Sequence, residues 1–201
     1  MSVESLIAFN LVLMAAIASP GAALLYFIKT CVASGRAAGF ATGLGLGLAA
    51  AGWTLAALLG LESLFALFPW AYTLLKITGA LYLIWIAVQT WRHARDPVGE
   101  IDRPKGRALL SGLLVNIGNP KSMLFAAAVI LVVFPQGLNA MEITLIVANH
   151  LALEVVFYGL FAVLLSSAPA RRGYLNAKPI LDRIAATLLG ALGLRLLVER
   201  T

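Results

Sequence analysis

Four residues able to carry charge or a proton stand out inside apolar stretches of this 201-residue chain: Glu154, His150, Lys121 and Lys76. Glu154 lies near the middle of the run 143–165, with Asn149 and His150 just upstream. Burial in a low-dielectric medium disfavours a carboxylate, so a carboxyl group there can load and release a proton near neutral pH. The other reading is a structural ion pair with Lys121 or Lys76. Lys121 follows Asn119-Pro120 and suits a solute carboxylate, pairing with Glu154, or snorkelling toward an interface. Lys76 is an inner ion-pair partner or another snorkelling cation. His150 precedes Glu154 by four residues and shares its helical face. No further ligands accompany that pair, so a helix-to-helix hydrogen bond is expected there rather than a metal, and no cofactor is called for.

Two proline interruptions give these groups something to act on. Ser19-Pro20-Gly21 falls inside one apolar run and Asn119-Pro120-Lys121 inside another, the two prolines 100 residues apart. A proline lacks an N–H and clashes with the preceding turn, so each should kink or break its helix. Freed backbone groups cannot face lipid and must line protein or a wet cavity. There they bind a polar solute, with half-helix N-termini favouring a carboxylate. The predicted solute contacts are Ser19, Pro20, Gly21, Asn116, Asn119, Pro120 and Lys121, with Glu154 as proton-coupling group and Lys76, Asn149 and His150 as supporting polar residues. Two prolines that merely bend their helices are the plainer alternative.

The elements carrying these residues must be membrane helices. The chain is 61% hydrophobic and 12% charged, with mean hydropathy +0.94, whereas soluble domains run near 45–50% and ~25%. The apolar residues form six blocks, at about 6–27, 39–61, 64–91, 109–134, 143–165 and 180–198, and ~20 residues of helix cross a bilayer core. The sixth is weakest, because Asp182, Arg183 and Arg195 lie in or beside it, and an interfacial amphipathic helix is its alternative. The polar stretch 93–107 reads as a linker between halves 1–92 and 108–201 of a single domain. The interrupted helices open corresponding halves, and three is odd, so the second half lies inverted relative to the first. The expectation is an all-α integral membrane protein of about six helices in two inverted three-helix repeats. Paired interrupted helices in such a repeat point to a transporter's central site.

The net charge of +6 reflects topology rather than nucleic-acid binding. Lys29 and Arg36, then Arg92, Arg95, Arg103, Lys105 and Arg107, then Arg171, Arg172 and Lys178 occupy alternate connections, ten basic residues against none in the others. Those connections are expected to be cytoplasmic, which puts both termini on the opposite side. The start, Met1-Ser2-Val3-Glu4, has no Lys or Arg, so the first block is expected to be a retained helix. Trp70 and Tyr72 at one end of the third block and Trp91 at the other suit two aromatic belts. Gly39, Gly43 and Gly47 share one face of the second block, suited to close helix packing within the chain. A homodimer face or a sliding surface are its alternatives. Cys31, the single cysteine, excludes an intrachain disulfide. There is no nucleotide-binding G-x-x-x-x-G-K-[ST] stretch and no hydrolase motif, so uphill work must draw on an ion gradient. One proton crossing ~100 mV supplies about 2.3 kcal/mol, enough for roughly a 50-fold solute gradient.

Ala18-Ser19-Pro20-Gly21, Ser34-Gly35-Arg36-Ala37-Ala38-Gly39 and the glycine-rich block after it resemble the start of the lysine-exporter/homoserine–threonine-resistance (LysE/RhtB) family of amino-acid efflux proteins. So do Leu75-Lys76, Gly79-Ala80-Leu81-Tyr82-Leu83-Ile84-Trp85 and Trp91-Arg92. The second half adds Gly112-Leu113-Leu114-Val115-Asn116, Asn119-Pro120-Lys121 and Phe134-Pro135-Gln136. The resemblance covers nearly the whole chain, strongest across 18–92 and 110–137, and the run 26–33 departs from the pattern. It implies six helices, a bacterial inner-membrane location, an acidic residue where Glu154 stands, and export of amino acids by proton exchange. The expected partners are an amino acid, protons and the lipid bilayer. Two alternatives remain on the sequence alone: an exporter of a metal cation or other solute on the same scaffold, and a non-transporting membrane assembly subunit. An intramembrane enzyme lacks a nucleophile–base constellation.

Overall fold

A computed structural model describes residues 1–18, 21–96, 107–165 and 167–198. All its regular elements are α-helices: α1 (Val3–Ala18), α2 (Ala22–Leu67), α3 (Pro69–Arg92), α4 (Ala108–Ile117), α5 (Pro120–Val133), α6 (Ala140–Leu164) and α7 (Ala168–Val198). Among the described residues two helices, Ala23–Gly60 and Ala140–Leu164, are long and apolar enough to cross a membrane. The bent pair Ala108–Ile117 and Lys121–Val133 makes a third such span if counted as one.

The 46 residues of α2 would reach about 69 Å as a straight helix, more than twice a ~30 Å bilayer core. The helix does not run straight. Gly35 leaves helical geometry at φ 80°, ψ 176°, a left-handed φ that glycine adopts without a Cβ penalty. A Cβ placed on Gly39 would lie 3.3 Å from the Cys31 Cα, and one on Gly43 3.3 Å from the Phe27 ring. Eight residues of straight helix would separate the first pair by about 12 Å. The chain therefore doubles back at Gly35 into two antiparallel arms, 22–34 and 36–67. The connection expected around Lys29 and Arg36 is thus a single-residue reversal, with Lys29 on helix. Where the apolar pattern placed the next boundary near residue 62, the helix continues to Leu67 and Pro69 opens α3, since proline is well placed at a helix start. The sixth block is likewise longer than expected. It begins at Ala168 and carries Pro179 within it.

The helix α2 is the centre of the assembly, packing on α4, α5 and α6, with its second arm meeting α4 at Gly45 and α6 at Gly47, while α3 packs on α7. Glycine allows backbones to meet at these seams. A Cβ on Gly45 would strike α4 at Leu109 and Leu113, and one on Gly112 would reach Thr42, its carbonyl carbon 3.0 Å away. A Cβ on Gly47 would lie 2.8 Å from the Glu154 Cβ, one on Gly43 would strike Tyr158, and one on Gly193 of α7 would lie 2.9 Å from the Ala80 carbonyl oxygen of α3. The glycine face of the second block is thus used for packing inside the chain. Thr42 adds a hydroxyl donation to the Ala108 carbonyl at 3.3 Å, tying the α2–α4 seam. The outer surface carries Leu59, Trp70, Trp85, Trp91, Val156 and Leu160, each more than half exposed, as befits helices solvated by lipid.

Overpacking a tight seam costs ~1–3 kcal/mol, whereas Gly52 faces open space and Gly→Ala in a helix gains up to ~1 kcal/mol. Gly112→Ala is therefore expected to lower the thermal unfolding midpoint of the detergent-solubilised protein, and Gly52→Ala to leave it unchanged or raise it.

Candidate functional site

The second interruption is built around one amide. α4 ends at Ile117 with Gly118 as its cap, and α5 begins at Pro120 after Asn119 in extended geometry, so the two half-helices meet at 61°. Asn119 caps α5 by accepting from the Lys121 amide at 3.0 Å, which satisfies one of the donors a helix start leaves open. Asn116, 3% exposed, lies one turn before the bend. Its side-chain amide donates to the Leu46 carbonyl of α2 at 2.8 Å. Its side-chain oxygen accepts from the Asn119 amide at 3.3 Å and from the Ser122 hydroxyl. Its backbone carbonyl accepts from the Trp53 indole at 3.3 Å. The carbonyl freed where α4 stops is thus met by a second-arm side chain of α2.

The first interruption lies opposite. α1 ends at Ala18 and α2 begins at Ala22; the predicted contacts Ser19 and Pro20 lie outside the described residues. Gly21 is described, and a methyl group on it would lie 3.5 Å from the Lys121 ammonium. The two interruptions, 100 residues apart in sequence, therefore face one another, with the Lys121 side chain reaching from one to the other.

Glu154 and His150 line the same space from α6. His150 bonds the Thr54 hydroxyl through Nδ1 at 2.8 Å and approaches Glu154 Oε1 with Nε2 at 3.4 Å. When Glu154 is ionised, Nε2 must hold the proton, leaving Nδ1 to accept from Thr54. A protonated Glu154 donates instead, and the imidazole tautomer switches. Phe9 closes the imidazole from the α1 side in an edge-on contact at 5.6 Å. The second carboxylate oxygen of Glu154, which is 4% exposed, has no hydrogen-bond partner among the described residues.

Gly21, Asn116, Asn119, Lys121, His150 and Glu154 together wall a cavity of about 60 Å³. One buried water needs ~10–15 Å³, so several waters or the polar end of a small solute fit. Apolar walls come from Leu13, Ile17, Leu24 and Phe125. Among the described residues Lys121 forms no ion pair, and the pairing of Glu154 with Lys121 weighed as a structural alternative is not formed. The cavity holds a cation and an acid that face the same space without neutralising each other.

Asn149, grouped above with the supporting residues, lies elsewhere. It exchanges hydrogen bonds with Asn10 of α1 at 2.7 and 3.5 Å and is not among the cavity-lining residues. Lys76 belongs to α3 and its side chain lies outside what is described, as does the ring of Pro120. Trp53, Thr54, Ser122 and Tyr158 were not singled out from sequence. Thr54 carried a signal as one of two threonines, with Thr42, in the apolar block 39–61, and Tyr158 another, four residues beyond Glu154. Asp182, read only as a blemish in the sixth block, is buried at 3% exposure and paired with Lys178 at 3.0 Å.

An all-helical chain with two interrupted helix pairs meeting at a polar cavity has the organisation of a membrane translocator. The family model described as LysE type translocator matches residues 14–200, and the chain belongs to that family. It is 29% identical over 196 residues to the threonine efflux protein of Escherichia coli strain K12, covering 92% of this chain and 93% of that one. The same identity holds over 197 residues to the threonine efflux protein of Salmonella typhi, with the same coverage. The homoserine/homoserine lactone efflux protein of Salmonella typhi is 35% identical over 131 residues, 59% of this chain and 57% of that one. No solved structure matches.

Truncating Asn116 leaves buried polar groups unmet, a loss of ~1–3 kcal/mol. Asn116→Ala is expected to lower thermal stability by that amount and to alter the emission of Trp53, measured with the other tryptophans replaced by phenylalanine.

Proposed function

We propose that this protein is a secondary exporter of small amino acids across the bacterial inner membrane, exchanging the solute for a proton by alternating access. The observation that carries this reading is the pairing, in one cavity, of an ammonium group and a carboxyl group that do not bond each other. An α-amino acid presents the complementary charges. Its carboxylate meets Lys121 and the N-terminal end of α5, where the amides of a helix start favour an anion. Its ammonium meets Glu154, whose second oxygen is open. Asn116, Asn119 and Gly21 hold the polar middle of the solute, joined by Ser19 and Pro20 of the first interruption. Glu154 couples transport to protons because it cannot hold a proton and a solute ammonium together: protonation from outside releases the solute, and deprotonation inside readmits it. The relatives act on threonine, homoserine and homoserine lactone, which makes a short hydroxylated amino acid the first candidate.

We further propose that the chain forms six spans in two inverted halves. Counting the reversal at Gly35, the spans are α1 with the first arm of α2, the second arm of α2, α3, α4 with α5, α6, and α7. Each interrupted span touches the third span of the other half, α1 on α7 and α5 on α3, as a two-fold relation requires. The ends also group as the basic residues predict. Met1 meets Glu142 at the start of α6, while Lys178 of α7 meets His93 and Ala94 at the end of α3. We place the second group of ends in the cytoplasm and both termini in the periplasm.

Efflux from proteoliposomes loaded with threonine or homoserine, with and without a pH gradient, tests the reading. Gradient-driven efflux is expected from the native chain. Glu154→Gln should abolish the response to the gradient while inserting normally, and Lys121→Met should raise KM at least tenfold. Undiminished gradient-driven efflux by Glu154→Gln would remove the coupling role assigned to that residue.

A further inference from the structure

A groove of about 250 Å³ runs along the seam between α3 and α7 and shares no lining residue with the polar cavity. Its walls are Ala87, Val88, Trp91 and Arg92 of α3 and Ala186 and Thr187 of α7. The two helices are antiparallel here. Lys178 bonds the carbonyls of His93 and Ala94, and a Cβ on Gly190 would lie 3.5 Å from the Ala87 Cβ. Ala87 and Ala186 are buried, while Val88 and Trp91 are half-exposed. Two guanidinium groups mark the end of the groove toward the α3 terminus. Arg92 lines it directly, and the Arg183 guanidinium stands 5.5 Å from the centroid of the Trp91 ring. Both arginines are exposed, and neither forms an ion pair among the described residues. Asp182, next to Arg183 in the chain, is buried and bonded to Lys178. The Lys178 ammonium on the last carbonyls of α3 offsets the negative helix end that would otherwise oppose an anion.

In the six-span arrangement proposed above, on which this inference rests, the groove faces lipid and its arginine end lies at the cytoplasmic interface. Trp91 suits that depth. Five residues separate Lys178 from Arg183, about 7.5 Å of helix, so the Arg183 guanidinium stands at the edge of the hydrocarbon rather than in its middle. A guanidinium at that level calls for an anion, and its planar fork matches two phosphate oxygens at once. We propose that the groove binds one anionic phospholipid. Its phosphodiester sits between Arg92 and Arg183, and an acyl chain lies along Ala87, Val88 and Ala186. The Trp91 ring holds the Arg183 side chain over the groove by a cation–π contact. Basic pockets between membrane helices on the cytoplasmic side are suited to such headgroups. A zwitterionic lipid offers the same phosphate, but the two guanidiniums repel its ammonium, so the site selects net negative charge.

The test reads lipid contact at Trp91. Trp53→Phe, Trp70→Phe and Trp85→Phe leave Trp91 as the only tryptophan. This full-length chain is placed in phosphatidylcholine vesicles containing a small fraction of brominated phosphatidylglycerol or brominated phosphatidylcholine, which quench nearby indoles. Phosphatidylglycerol is expected to quench Trp91 with about tenfold or greater preference over phosphatidylcholine, the worth of one charge-assisted contact. Arg92→Gln with Arg183→Gln should bring that ratio close to one. Arg36→Gln, an equal loss of charge at another exposed arginine, should leave it unchanged. If the double variant does not insert, Arg92→Gln alone replaces it and should lower the ratio. Equal quenching by the two lipids in the chain with both arginines overturns the proposal and leaves α3 in the bilayer. A preference that survives loss of the arginines, or falls equally with Arg36→Gln, also overturns it. Relief of the phosphatidylglycerol quenching by inorganic phosphate would identify a free-anion site and overturn the lipid assignment; no relief is expected. Quenching by neither lipid, with the protein inserted, overturns the placement of α3 in the bilayer and this inference with it.

Discussion

A backbone carbonyl or amide freed inside a bilayer must find a partner within the protein, and this requirement organises the molecule. The break between α4 and α5 frees such groups deep among packed helices. The Trp53 indole of α2 meets the Asn116 carbonyl and the Asn119 side chain meets the Lys121 amide, while the Asn116 side chain ties Leu46 of α2, Asn119 and Ser122 together. For those bonds to form, α2 must come within hydrogen-bond distance of α4 along its length, which in turn requires glycine at Gly45 and Gly112 where backbone meets backbone. The tight seam and the open break are therefore two parts of one solution. The seam supplies the partners that allow the helix to be interrupted without cost elsewhere.

What could be read from the sequence follows the same division. Apolar runs, interior prolines and isolated ionisable residues are local in the chain, so helix content, the break before α5 and Lys121, His150 and Glu154 as interior polar residues were visible. Partnerships across the fold were not. Nothing near Glu154 says that His150 takes Thr54 as its second partner, because those residues lie 96 positions apart. Asn149 looked equivalent to His150 from its neighbourhood, yet one step along a helix turns a side chain by 100°, and it faces Asn10 instead. Asp182 was discounted because hydropathy averaging treats any charge in a span as a defect, whereas pairing with Lys178 and burial against α3 make it an element of structure.

The interior polar groups differ in how many partners hold them. Lys178 is fixed, held by two carbonyls and a carboxylate. His150 is fixed between Thr54 and Glu154. Lys121 has no such restraint among the described residues, and its long side chain lies at the meeting point of the two breaks. In the exporter proposed above the cavity must bind and let go, and an ammonium that forms no ion pair among the described residues suits that task.

The reversal at Gly35 has a mechanical consequence. The first arm of α2 begins at one break, and the second arm holds Asn116, Trp53 and Thr54 around the other. A one-residue turn leaves no slack between the arms, and Gly39 and Gly43 lock them side by side. The pair behaves as a crank: tilting the first arm must drag the supports of the second break along with it. In the exporter proposed above, such a linkage ties the geometry of one break to that of the other.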